Sequence, residues 1–346
     1  MKHRNITFII MITLVLLLCL DVIYWHGIER FIDATLEIED GTRPSYLMVG
    51  TNVWPGYEPF YLARELGFFE DANIRLVEYS SSTQTIRSLR NGAIQAAALT
   101  LDEVLMLWEK GSQLRVILVT DISDGGDMII TKPEVKNLQD LRGRRVGAEN
   151  TAVGAYLLTR ALQKAGLEPK DLTVVPLEID EQEQEFLKGT LDAVVTFEPV
   201  GSRLLNAGGQ KLFDSSQIPN EIIDVLVVHQ DVLQDQKEEV NVLLRAWFRA
   251  LEYLKSHPLE SARHMSGRLK ITPPEILSAY EGIKLPDLEE NIRMMTGDPP
   301  PLEVNIQRLA EVEKKTGLLE RNIDPKGLLD PSPLHGLKAG ESERNK

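Results

Sequence analysis

One cysteine, Cys19, is present in 346 residues. Disulfide frameworks and cysteine-based zinc sites are therefore excluded. The six histidines (3, 26, 229, 257, 264 and 335) show no metal-ligand spacing. His257 and His264 are seven apart, but Pro258 opens a new helix between them, so they do not share a face. No Gly-x-Ser-x-Gly appears, which removes the nucleophile elbow. The stretch "GAENTAVGAY" (147–156) has two glycines but lacks the Lys-Ser/Thr of a phosphate loop. Basic residues are outnumbered 38 to 52, for a net charge of −14. That balance argues against nucleic acid, whose phosphates call for clustered Lys and Arg. The expectation is a protein with no catalytic residue, no cofactor and no metal, and hence not an enzyme.

Charge is also missing from residues 6–20, "ITFIIMITLVLLLCL", which follow Lys2 and Arg4. A basic start and an apolar run form an export signal. With Val22 to Trp25 the segment reaches the roughly 20 residues that span a bilayer, ending on an aromatic pair. No small-x-small cleavage site follows, and Leu18 is not the small residue a lipoprotein site needs before its cysteine. Residues 1–25 therefore read as an uncleaved anchor, with a cleaved signal as the alternative. The basic N-terminal flank sets the body outside the cytoplasm.

From Tyr46 onward, apolar runs alternate with helical patterns. Strands are expected at 47–52, 74–79, 95–100, 114–120, 128–131, 145–148, 172–175, 192–196 and 222–228. Helices are expected between them, and everything after 228 reads as helical. At 43% hydrophobic, the chain can fill two cores. Strand–helix alternation of this length implies α/β architecture with parallel sheets. "LRNGAIQAAALT" (89–100) and "LKGTLDAVVTF" (187–197) echo one another, each with a glycine that suits a left-handed helix stop. Two lobes of related topology follow. The paired glycines of "TDISDGGDMII" (120–130) and the stretch "PNEIIDVLVV" (219–228) read as the links between them. Lobe 1 then comprises 45–122 and 225–330, lobe 2 comprises 127–221, and the polar tail 331–346 is expected to be disordered.

At this point the chain resembles a known family. "GTNVWPGYEPFYLARELGFFED", "LRNGAIQAAAL", "LQDLRGRRVGAE", "LKGTLDAVVTFEP" and "LLRAWFRALEYLKSHP" are similar to segments of the solute-binding proteins of nitrate, taurine and sulfonate ABC importers. The resemblance runs from about residue 46 to 270. It implies the two-lobed type II periplasmic binding fold on a double hinge, with an ABC permease as partner on the periplasmic side of the inner membrane. It does not choose among anions, sulfonates and pyrimidine precursors. Two other classes share the fold's logic: a membrane-tethered sensor reporting its solute to a signalling partner, and a pyrimidine-precursor synthase. The synthase reading would bring a cysteine-rich segment, which is absent.

Ligands of open α/β sheets collect at the carboxyl ends of strands and at helix N-termini. Trp54, Thr100, Thr151 and Glu198 lie at such ends. Trp54 and Tyr57 in "VWPGYEP" offer a flat apolar wall or a cation–π surface. Asn150 and Thr151 open a helix and suit an anionic group, or serve as a plain cap. Glu198 either accepts hydrogen bonds from a ligand amine or sits against the helix after Pro199, where negative charge suits the dipole. Asp127 is either a ligand contact or a turn residue. Asp224, a charge inside an apolar run, must be paired or face the cleft. Gly125 and Gly126 are the expected hinge residues. Acids in this number lean towards a solute that carries an amine, taurine among them. Trp108, Trp247 and Phe248 fall at helical spacing and read as core.

Overall fold

The computed structural model describes residues 46–149 and 152–344. The expected anchor, 1–25, lies outside the described residues, as do Asn150 and Thr151. Among the described residues no helix is long and apolar enough to cross a membrane.

The first sheet begins with β1 (Leu47–Thr51), which leads through the tight turn at Pro55–Tyr57 into α1 (Glu58–Glu65). Next come β2 (Ile74–Glu78), α2 (Ser82–Arg90), β3 (Ala96–Thr100), α3 (Leu101–Glu109) and the long β4 (Leu114–Ser123). The second sheet takes β5 (Asp127–Thr131), β6 (Arg145–Ala148), α4 (Ala152–Ala165), β7 (Thr173–Pro176), α5 (Ile179–Lys188), β8 (Ala193–Phe197), α6 (Val200–Asn206) and β9 (Gln210–Asp214). The chain then returns as β10 (Ile223–His229) to the first sheet. It closes with α7 (Val232–Asp235), α8 (Lys237–Ser256), α9 (Pro258–Leu269), α10 (Pro273–Tyr280), β11 (Ile283–Lys284), α11 (Leu288–Met295), α12 (Pro301–Thr316) and α13 (Ser332–Arg344). Trp247 and Phe248 on α8 are buried, as their helical spacing predicts.

Strand order is β11-β4-β10-β3-β1-β2 in one sheet and β7-β6-β8-β5-β9 in the other. The expectation of parallel sheets needs correcting. β1 pairs parallel with β2 and β3, and β6 with β7 and β8. The strands at the crossings pair antiparallel: β10 with β3 and β4, and β5 with β8 and β9. The reason is the connection. A parallel neighbour needs a long crossover, usually a helix, whereas strands that pass directly between lobes do not have one. β9 and β11 were not expected. β9 (QKLFD) is a short, half-polar strand at the sheet end, the composition that protects an edge.

Burial drives the pairing in the middle of each sheet. All five residues of β3, β5 and β8 are buried, and each Val, Leu or Ile removed from water contributes about 1.5–3 kcal/mol. The two echoed glycines do stop helices in the left-handed region, at φ +73° for Gly92 and +80° for Gly189.

Two crossings join the sheets, and a third segment touches the first of them. Between β4 and β5 the backbone N–H groups of Asp124 and Gly126 donate to the carbonyl of Gly282, at 2.8 and 3.2 Å. β11 then pairs with the last residues of β4. The expected disorder of 331–346 is also corrected. Ser332–Arg344 is helical, and Leu334 and Leu337 are buried. Those two leucines, one turn apart, give an otherwise polar segment a stripe to bury.

Candidate functional site

The site is built where β1 ends. Arg268 of α9 donates to the carbonyl of Asn52 at 2.6 Å and pairs with Glu58 at 2.5 Å. The Asn52 side chain donates to Ser82 Oγ at 2.9 Å and accepts the backbone N–H of Trp54 at 2.9 Å. Trp54 is thereby fixed at the head of the Pro55–Tyr57 turn. Its indole N–H forks onto both carboxyl oxygens of Asp121, at 3.1 and 3.2 Å. Gly56 is required there. A Cβ on it would lie 2.1 Å from Asp121 Oδ2 and 2.3 Å from Trp54 Nε1, distances no side chain survives.

Tyr57 donates its hydroxyl to Asp224 Oδ1 in a short hydrogen bond. Asp224 on β10 stands directly opposite Asp121 on β4 and, on its other side, opposite Thr100 at the end of β3. Thr100 caps α3, and its backbone N–H donates to Glu103 Oε2 at 3.1 Å. From the second lobe come Asp127, at the start of β5, and its cross-strand partner Phe197. Phe197 meets Trp54 edge to face, with ring centroids 5.8 Å apart.

These side chains enclose a cavity between the sheets lined by Asn52, Trp54, Tyr57, Ser82, Thr100, Asp127, Val153, Phe197 and Asp224. Its volume is about 10 Å³, room for roughly one water. The lobes must part to admit any organic solute. No Lys, Arg or His is among the lining residues.

Electrostatics follow from that lining. Burial pushes the Asp224 carboxyl well above the ordinary range, and the Asp121 charge pushes it further. Burial likewise raises Asp121 to about 8 and Asp127 to about 7, against partial relief from the Trp54 indole and from Ser123 respectively. Glu103 rises to about 8 through burial and the neighbouring Asp102. Glu149, at the end of β6, is raised well above its usual value by burial and then by Glu103 and Glu178. Desolvation without a compensating cation is the common cause.

Of the expected residues, the structure brings Trp54, Tyr57, Thr100, Asp127 and Asp224 together around one cavity. Glu198 is not among them. Its carboxylate accepts the backbone N–H and the hydroxyl of Ser202, each at 3.0 Å, so it holds the start of α6. Its backbone N–H bonds the carbonyl of Gly126 at 3.1 Å. The expected contacts Asn150 and Thr151 lie outside the described residues. Asn52, Ser82, Val153, Phe197 and the supporting Asp121 were not singled out in the sequence. Only Asp121 carried a signal there, as an acid ending an apolar run. Among the described residues no group of three or more His, Cys, Asp or Glu is arranged to hold a metal ion.

Two α/β lobes joined by direct strand crossings, with a polar and aromatic cavity between them, define the two-lobed periplasmic-binding fold. Residues 54–261 match the model of the NMT1/THI5-like family, and the chain belongs to that family. It is 21% identical to the taurine-binding periplasmic protein of Escherichia coli (strain K12) over 184 residues, 52% of this chain and 57% of that protein. This alignment thus spans little more than half the length of that relative. It is 23% identical to a putative thiamine biosynthesis protein of Haemophilus influenzae (strain ATCC 51907 / DSM 11121 / KW20 / Rd) over 298 residues, covering 82% of this chain and 92% of the other. Among solved structures, the alkanesulfonate-binding protein SsuA from Xanthomonas axonopodis pv. citri bound to MOPS superposes with a TM-score of 0.72. That match has 16% identity and covers 84% of this chain and 99% of the other; at that identity it shows the fold alone.

Proposed function

We propose that this chain is the extracytoplasmic solute-binding component of an ABC importer, and that it captures a small organic solute carrying a positively charged amine. The observation that carries this reading is the cavity lining: Asp127 and Asp224 enter from opposite lobes, and no basic side chain accompanies them. An ammonium group supplies the missing charge and donates to both. Trp54, Tyr57 and Phe197 supply apolar walls for the rest of the molecule. A taurine-like zwitterion fits this reading if Asn150 and Thr151, which precede α4 in the sequence, receive its acidic group. The family and the relative named for taurine binding support an import role. In this reading the segment 6–25 anchors the protein on the periplasmic side of the inner membrane, and the two crossings at Gly125–Gly126 and near 222–226 act as the hinge. A permease is the partner.

A thermal-shift screen of the full-length protein against small amines, taurine, alkanesulfonates, nitrate and pyrimidines tests this. A ligand at 100 times its dissociation constant adds about 2.7 kcal/mol of stability. Amine-bearing compounds are expected to raise the melting temperature. Stabilisation by nitrate or simple sulfonates alone would overturn the amine reading.

A further inference from the structure

Asp121 and Asp224 are directly opposite on adjacent antiparallel strands, both sealed from solvent, at 0% and 2% exposure. The donors the structure gives them are neutral, the Trp54 indole on one and the Tyr57 hydroxyl on the other. Asp224 lines the cavity, and Asp121 stands beside it. Two carboxylates side by side without a cation do not both ionise in a dry site. We infer that this pair holds a proton on the floor of the closed cleft, and that an incoming ligand's ammonium group takes that proton's place. Capture of a cation is then coupled to proton release. The inference rests on the amine-binding reading above and adds to it a mechanism that sets affinity.

The remaining groups around the pair agree. Glu103 on α3 and Asp127 on β5 are acids that hold the pair's proton more firmly, and Asp127 also raises Asp121. Tyr280 on α10 feels Asp121 but donates its own hydroxyl to the carbonyl of Pro55 at 2.8 Å. Arg268 on α9 is engaged by Glu58 and Glu78, at 2.5 and 3.0 Å. None of these neutralises the pair. A second observation points to a ligand independently of the acids. Thr100 lines the same cavity and is 6% exposed, and beyond a loose capping contact with the backbone N–H of Glu103 its Oγ1 has no hydrogen-bond partner. A buried hydroxyl left unpaired is costly, and a ligand N–H beside Asp224 would fill it.

The exchange balances simply. The carboxylic O–H bond of the pair breaks and its proton passes to solvent. The ammonium, arriving already protonated, donates to the freed oxygens and to Thr100, with no oxidant or other reactant involved. The raised carboxyl pKa values of the pair accord with this.

The test is isothermal titration of the full-length protein with n-propylammonium, in two anionic buffers of different ionisation enthalpy, phosphate and cacodylate. About one proton should be released per ligand, and affinity should increase about tenfold for each unit of pH increase up to neutrality. Asp224→Asn keeps the size and a partner for Tyr57; it should abolish the proton release and the pH dependence. If that variant does not fold, Asp121→Asn is read the same way. Infrared difference spectra, parent minus either variant, should show at neutral pH a protonated carboxyl stretch that belongs to the pair, distinct from those of the other buried acids. Binding with pH-independent affinity and no buffer dependence overturns the exchange and leaves the amine reading intact. A difference spectrum with no such carboxyl stretch also overturns it. Binding of n-propanesulfonate but not n-propylammonium overturns the amine reading itself.

Discussion

Trp54 and Phe197 meet across the cleft edge to face, with centroids 5.8 Å apart and planes at 81°. The first belongs to the turn after β1 and the second ends β8, so one aromatic contact joins the two lobes. The indole cannot drift, because Asp121 holds its N–H. Pairs of this geometry add about 0.5–1.5 kcal/mol beyond the area they bury. Trp54→Phe keeps an aromatic wall but loses the donor to Asp121. We expect it to raise the carboxyl pair's proton affinity further and to weaken cation binding by about tenfold, read by titration calorimetry at neutral pH.

The same ring explains the glycines of the crossing. A Cβ on Gly126 would lie 2.5 Å from Trp54 Cη2 and 3.2 Å from the Gly282 carbonyl. Gly125 has φ +125°, outside the range of L side chains. Gly126→Ala is therefore expected to hold the lobes apart. Small-angle scattering at saturating n-propylammonium should show a larger radius of gyration for the variant than for the parent. Equal radii would remove Gly126 from the hinge.

Glu198 is expected to matter for stability and not for binding. Its two bonds to Ser202 satisfy the first turn of α6, and loss of such a cap costs about 0.5–2 kcal/mol. Glu198→Ala should lower the melting temperature accordingly, with affinity for an amine changed less than about twofold. A tenfold loss of affinity in that variant would return the carboxylate to the site.

Ligand-free stability should fall as pH rises. Asp127 and Asp121 are raised to about 7 and 8, and Glu313 on α12 to about 9, all chiefly by burial. Glu313 has neither carboxyl oxygen hydrogen-bonded. Carboxyls ionise near pH 4 in an unfolded chain. The folded state binds more protons above that value, so this contribution is full below about pH 4 and is lost as pH climbs through the folded values. Melting temperature should decline steadily from about pH 6 to about pH 8.5. Glu313→Gln, uncharged throughout, should flatten part of that decline while leaving ligand affinity unchanged. A decline identical to the parent's would show that Glu313 ionises at no cost.

How much of this was legible in the sequence depended on locality. Trp54, Tyr57 and Thr100 follow strand ends, and a strand end is visible as an apolar run that stops. Asp224 was visible because a charge inside "IIDVLVV" has to be accounted for. Asp121 falls in the stretch read as a link, since the sequence does not reveal that β4 continues to Ser123 or that Asp224 lies opposite. Register between strands more than a hundred residues apart is not encoded in any short window. The direction of β10 was hidden for the same reason. Glu198 reads two ways because strand–acid–proline looks the same whether the acid faces a ligand or the next helix; in the fold its carboxylate bonds Ser202. In the tail, charge and glycine masked Leu334 and Leu337, which matter only because α8 lies beside them.

The most direct measurement is the identity of the small molecule that stays with the full-length protein when it is purified from its native host under mild conditions. Native mass spectrometry of the complex, followed by denaturation and mass analysis of what is released, gives that identity without a candidate list. The expected result is a compound with a basic nitrogen, retained by the parent and lost from Asp224→Asn. An anion with no basic nitrogen, held equally by both proteins, would contradict it.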